Sequence, residues 1–120
     1  MDNNISQPLF CATVLYPNQE AASFDFDLYA KTLIPEYAKI LGDNCVRFEV
    51  RKGLSSPGKP APEFLCIANI WIKSAEQFGA SMATKEMTHL MDKINAFTAI
   101  EPVRQFDEVF SSNQVLPGVR

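Results

Sequence analysis

Arg47, Glu49 and Arg51 fall at every second position, interleaved with Val46, Phe48 and Val50. That spacing puts three charges on one face of a strand and the apolar side chains on the other. A guanidinium beside a carboxylate can bind or polarise a ligand oxygen; the rival reading is a solvated or interface ion pair. Asn69 and Trp71 share a strand face with Leu65 and Ile67. Together they offer an apolar wall with one amide and one indole N–H to orient a ligand, or simply core or intersubunit packing. Tyr16 and Tyr29 could each donate a hydrogen bond into a pocket, or be core residues with wet hydroxyls. Within this set Glu49 and Tyr29 are the candidates for moving a proton, and Asn69 or Arg47 for stabilising an oxyanion.

Other chemistries find no support in the residue types. His89 is the only histidine, and it reads as a surface or helix-end residue rather than a base reaching a cleft. With no Gly-x-Ser-x-Gly elbow, Cys-x-x-Cys, His-Glu-x-x-His or glycine-rich phosphate loop, neither a metal nor a nucleotide cofactor is expected. Asp25 and Asp27 look like paired carboxylates, but a helix start makes capping their default use. A net charge of -3 without a basic cluster argues against nucleic acid as a partner. No apolar run approaches a membrane span, and the first residues do not resemble a signal peptide, so the expectation is a cytoplasmic protein. Cys11, Cys45 and Cys66 are odd in number and widely spaced, which reads as reduced thiols.

The elements that must position these residues follow from periodicity. Residues 9 to 16 are a short apolar run stopped by Pro17-Asn18, a first strand. Asp25 can cap a helix running to about Leu41, with Gly42 as its stop and a kink or irregular turn at Pro35. Residues 45 to 52 form the alternating second strand. A loop rich in Pro and Gly spans 53 to 62, and Glu63 to Lys73 is a third strand apolar on both faces. Ser74-Ala75-Glu76-Gln77 reads as a capping box in which Gln77 reaches back to the cap amide. Thr84 caps a further helical segment that turns Met87, Leu90, Met91 and Ile94 inward, and Thr98 to Phe110 is a last strand interrupted by Pro102. The order predicts an α+β fold, a ferredoxin-like βαββαβ sandwich with an antiparallel four-stranded sheet. One domain over residues 9–110 is expected, between a flexible N-terminus (1–8) and a C-terminal tail (111–120). The doubly apolar third strand calls for cover on its second face, and a second copy of the chain, a homodimer, is the simplest cover.

Phe24-Asp25, Asp27, Tyr29 and Pro35 together resemble the signature of the EthD family, which runs roughly Phe-Asp-x-Asp-Tyr-Tyr and then His-x-Pro. Leu33 stands at the histidine position. Four further stretches resemble the family in the right order: 14–18, Gly53-Leu54, 68–72 with Ser74, and 98–103. The resemblance covers roughly residues 9 to 110. It implies a dimeric α+β barrel whose cleft takes a small organic ligand. It also implies a setting in catabolism or oxidation, since the founding member is required beside a monooxygenase system in ether degradation. Similar barrels include cofactor-free monooxygenases, lactone isomerases and polyketide cyclases. The expected function is therefore binding or processing of a small, mostly apolar organic compound without a cofactor. The alternative is a non-catalytic carrier or structural dimer supporting a partner enzyme of an oxidative pathway. The ligand-binding set expected is Tyr16, Tyr29, Leu33, Arg47, Glu49, Asn69 and Trp71, with Leu33 bordering the cleft and favouring apolar ligands.

Overall fold

Pro35 shapes the first helical stretch. It has no N–H to donate, and its ring crowds the carbonyl of Lys31, the residue an α-helix would place against it. In the computed structural model, which describes residues 9–113, the chain answers by widening one turn. Asp25 caps α1 (Phe26–Leu28), its carboxylate accepting from the Leu28 N–H at 3.0 Å. A π-helical turn, Tyr29–Leu33, follows, in which the Ile34 N–H reaches five residues back to the Tyr29 carbonyl. Regular geometry resumes in α2 (Ile34–Leu41) with Pro35 in its first turn, where a missing N–H costs least. Gly42, at φ +64°, ends it in the left-handed region that glycine enters without strain.

A 3₁₀ turn, Gly42–Asn44, leads into β2, and β1 (Phe10–Pro17), β2 (Cys45–Lys52), β3 (Phe64–Ile72) and β4 (Val103–Glu108) form one antiparallel sheet in the order β2-β3-β1-β4. With α3 (Ala75–Met82) and α4 (Lys85–Ala96) this is the βαββαβ arrangement that the periodicity predicts. Gly53 allows the chain to leave β2 close against β3: a Cβ there would collide with the Phe64 carbonyl oxygen.

Three local expectations are corrected. The last strand does not begin at Thr98; β4 starts only after Pro102, because Thr98 is used to pin a loop, its hydroxyl donating to the Ser23 carbonyl at 2.7 Å. Ser74 does cap α3, accepting from the Gln77 N–H at 3.1 Å, but its own amide is taken by Asn44 Oδ1 at 2.8 Å rather than by the Gln77 side chain. The buried Asn44 amide also donates to the Ser74 carbonyl at 3.0 Å, tying the end of the first helical stretch to the start of α3. A bulge between Cys45 and Arg47 sets Val46 outside the β2–β3 register. Thr84 caps α4 as predicted, accepting from Met87 N–H at 3.2 Å. The predicted flexible segment 1–8 and residues 114–120 of the predicted tail lie outside the described residues.

Strand register separates two faces. Ala12, Val14 and Tyr16 of β1 and Cys66, Ala68, Ile70 and Ile72 of β3 face the helices, where they meet Leu33, Ile34, Tyr37, Leu41, Met87, Leu90 and Ile94 in one core. Cys11, Thr13 and Leu15 of β1, with Leu65, Ile67, Asn69 and Trp71 of β3, face away from them. The alternation is strict because side chains on a strand have a period of two.

Candidate functional site

The helix-free face carries a polar ladder that crosses all four strands. Asp107 of β4 lies 3.4 Å from the Thr13 hydroxyl, which donates to Asn69 Oδ1 at 3.0 Å. The Asn69 amide donates to Glu49 Oε2 at 3.5 Å, and Glu49 also binds Arg47 at 3.0 Å and Arg51 at 3.5 Å. Arg47 lies flat over Trp71, 4.3 Å from its ring centre, a cation–π contact. Every group in this ladder already has a partner. Leu15, Leu65, Ile67 and Trp71 beside it are half-buried.

The opposite face holds a cavity of about 110 Å³ between sheet and helices, partly open to solvent. Its walls are Ala12, Val14 and Ile70 of the sheet, Ile34 of α2, Phe78 and Met82 of α3, Met91 and Ile94 of α4, and Phe106 of β4. An edge-to-face trio of Phe10, Phe78 and Phe106 joins β1, α3 and β4 beside it, with ring centroids 5.9, 5.8 and 5.7 Å apart. Three phenols, Tyr16, Tyr29 and Tyr37, one guanidinium, Arg104, and the strand residues Thr13 and Gln105 complete the lining. The three phenols are all the tyrosines of the chain.

Aromatic packing fixes the phenols. Tyr29 leaves the π turn and stacks on Phe97 at 5.2 Å, while Tyr16 meets Phe24 edge to face at 4.9 Å and Tyr29 at 5.3 Å. Phe24 and Phe97 are held by the loops that Thr98 joins to Ser23. Widening of a helix into a π turn recurs at functional sites, and here the turn begins at the residue that reaches the cavity.

Burial raises the pKa of all three phenols. Tyr37 is pushed up to about 12 by burial, against a smaller opposing pull from Arg104. Tyr29 is raised far more, by burial first and then by the neighbouring Tyr16. Tyr16 is raised by burial, with Tyr29 and then Arg104 partly offsetting it. All three are therefore hydrogen-bond donors at neutral pH. The Tyr37 hydroxyl donates a hydrogen bond to the Met82 sulfur at 3.5 Å, a soft acceptor. Tyr16, 1% exposed, is close enough to Tyr29 for each to influence the other, yet its hydroxyl reaches no hydrogen-bond geometry with any partner among the described residues. A buried hydroxyl left so costs about 1–3 kcal/mol. Arg104, placed opposite Val14 by the β1–β4 register, is exposed and forms no ion pair with a described residue. No carboxylate or imidazole lines the cavity among the described residues, so the wall offers donors and positive charge but no base.

The residues singled out from sequence divide between the two faces. Tyr16 and Tyr29 line the cavity. Leu33 is buried in the core one residue before Ile34, which does line it. Arg47, Glu49, Asn69 and Trp71 are brought together, on the other side of the sheet. The sheet thus stands between Glu49 and Tyr29, and they do not meet at one bound molecule. Asp25 and Asp27 do not converge: one caps α1 and the other pairs with Lys31 at 3.3 Å on the surface. His89 is on the exposed side of α4, and the three cysteines are free thiols. Arg104 and Tyr37 escaped the sequence reading. Alternation of Arg104 with Phe106 along β4, and the Tyr29–Tyr37 spacing along the first helical stretch, were the available signals.

No family model and no curated protein sequence matches the chain. Solved structures do. An EthD-like protein from Ralstonia eutropha JMP134 superposes with a TM-score of 0.80 and 31% identity, over 89% of this chain and 96% of that one. An ethyl tert-butyl ether (EthD) family protein from Bacillus halodurans C-125 gives 0.66 and 18%, over 83% and 97% of the two chains. The hydroxynitrile lyase of Passiflora edulis shares the fold alone, at 0.65 and 8%, over 90% and 99%. With nearly the full length of the Ralstonia protein matched at 31% identity, and the same ferredoxin-like α+β architecture, this chain belongs to the EthD-like family.

Proposed function

We propose that this EthD-like protein binds a small, mostly apolar organic compound in the cavity between its sheet and helices, without a cofactor, as a homodimer closed over the helix-free sheet face. The observation that carries the reading is the cavity itself: about 110 Å³, apolar over most of its wall, and ringed by phenols held by aromatic packing. An enclosed apolar cavity of about 150 Å³ admits benzene, so this partly open one suits a single ring or a short branched chain. Two features support the dimer: half-buried Leu65, Ile67 and Trp71 on one face, and a polar ladder already satisfied within one chain. Such a ladder can be covered without leaving groups unpaired.

The absence of a base in the described wall favours a carrier role, beside a partner enzyme of an oxidative or ether-degrading pathway, over proton abstraction by the protein. Processing is the second reading, with Tyr29 as a hydrogen-bond donor to a substrate oxygen, since burial keeps its phenol protonated at neutral pH. Val14→Phe, which fills the cavity from β1, tests the central reading. Ring compounds should raise the melting temperature of the wild type and not that of the variant, with far-ultraviolet dichroism unchanged. Equal shifts in both proteins would place binding elsewhere.

A further inference from the structure

The cavity wall is chemically one-sided, and that restricts what can occupy it. The Tyr16 hydroxyl is buried on a residue 1% exposed, lines the cavity and lacks a partner among the described residues. Arg104 lines the same cavity from β4, one strand away, and its charge acts on Tyr16, Tyr29 and Tyr37 alike. No described carboxylate neutralises Arg104. A buried donor and a cation that line one cavity and lack partners among the described residues are together complementary to an oxygen that accepts and carries negative charge. Around these two groups the wall is hydrocarbon, contributed by Ala12, Val14, Ile70 and Ile94.

We infer that the ligand is an organic acid: a single apolar ring or short branched chain bearing one anionic oxygen group, a carboxylate or phenolate, seated between Arg104 and the Tyr16 hydroxyl. This rests on the reading that the cavity is the ligand site. It makes Arg104 the residue that selects charge and Tyr16 the residue that selects an oxygen acceptor, whereas the remaining wall selects size. Rejection is built in as well, because a purely hydrocarbon guest leaves the Tyr16 donor unpaired, and a cation meets Arg104.

Calorimetry with benzoate, benzamide and toluene separates these roles. Wild type should bind benzoate tightest, benzamide next and toluene weakest. Arg104→Gln should weaken benzoate by about tenfold while leaving benzamide and toluene within about twofold, and Arg104→Lys should recover part of the loss. Tyr16→Phe, which keeps the ring packing, should weaken benzoate and benzamide by about three- to tenfold and leave toluene unchanged or slightly improved. Toluene binding as tightly as benzoate, or an Arg104→Gln protein that binds benzoate like the wild type, would overturn the inference while leaving the cavity reading intact. Failure of all three probes to bind, with Val14→Phe indistinguishable from wild type, would remove both.

Discussion

The two faces of the sheet use polar groups in opposite ways. On the helix-free face Asp107, Thr13, Asn69, Glu49, Arg47 and Arg51 engage one another in a chain of contacts, and each has a partner. On the helical face polar groups are few, and two of them, the Tyr16 hydroxyl and the Arg104 guanidinium, have no partner among the described residues. A cluster of charges attracts attention as a site, yet a cluster that is internally complete has no valence to spend on a ligand. The incomplete set is the better guide, and it lies on the face that looks more ordinary. The faces also carry separate reporters: all three tyrosines line the cavity, while the one tryptophan, Trp71, stands on the other side.

The comparison breaks most visibly if the helix-free face is not an interface. Ile67→Asp puts a charge beside Leu65 and Trp71, and a dimer closed over this face should dissociate, halving the mass measured by light scattering at micromolar concentration. A wild type already at 13.4 kDa would contradict the dimer. Next in size is Leu90→Ala in α4, which opens a hole under a side chain 1% exposed and should cost about 2–5 kcal/mol by urea unfolding. Leu15→Ala, half-buried on the other face, should cost less, and the gap between the two measures how much of the stability sits on the helical side.

Alkaline pH sharpens the contrast further. Cys66 is raised by burial from 9.0 to about 12, and Tyr37 by burial from 10.0 to about 12. Between the ordinary and the folded values the unfolded chain has lost a proton that the folded chain keeps. Stability should therefore be complete below about pH 9 and fall as pH rises towards about 12, by about 1.4 kcal/mol per pH unit for each group. Tyr16 and Tyr29 act in the same direction. Near-ultraviolet phenolate absorbance should show no tyrosine of the folded protein titrating at its ordinary value; a phenol ionising there would mean that water reaches the cavity wall and that burial does not hold the phenols protonated. The smallest effect is expected for Glu49→Gln, where solvent reaching side chains 32% to 59% exposed screens the ion pairs, and the loss should stay near or below about 1 kcal/mol in a dissociated chain.

Much of this arrangement is legible in the sequence, for identifiable reasons. The charged stripe of β2 and the double-sided apolarity of β3 state strand periodicity plainly, and Asp25, Ser74 and Thr84 mark helix starts by the hydrogen bonds they make. Periodicity assigns residues to faces but does not say which face encloses a void, so Arg47, Glu49, Asn69 and Trp71 read as a cleft when they form a filled ladder. Leu33 was singled out through Pro35, whose effect is to widen the turn and send Tyr29, rather than Leu33, to the cavity. Arg104 stands on a short strand with every residue exposed, so its alternation with Phe106 is a weak signal; its register with Val14 brings it over the cavity.

One measurement bears on the central claim, that small molecules are received on the helical face. Fluorine NMR of protein carrying fluorotyrosine and fluorotryptophan reports both faces during a single benzoate titration. Saturable shifts are expected in the tyrosine resonances, with a stationary Trp71 resonance. A Trp71 resonance that moves while the tyrosines stay fixed would put the site on the opposite face and contradict it.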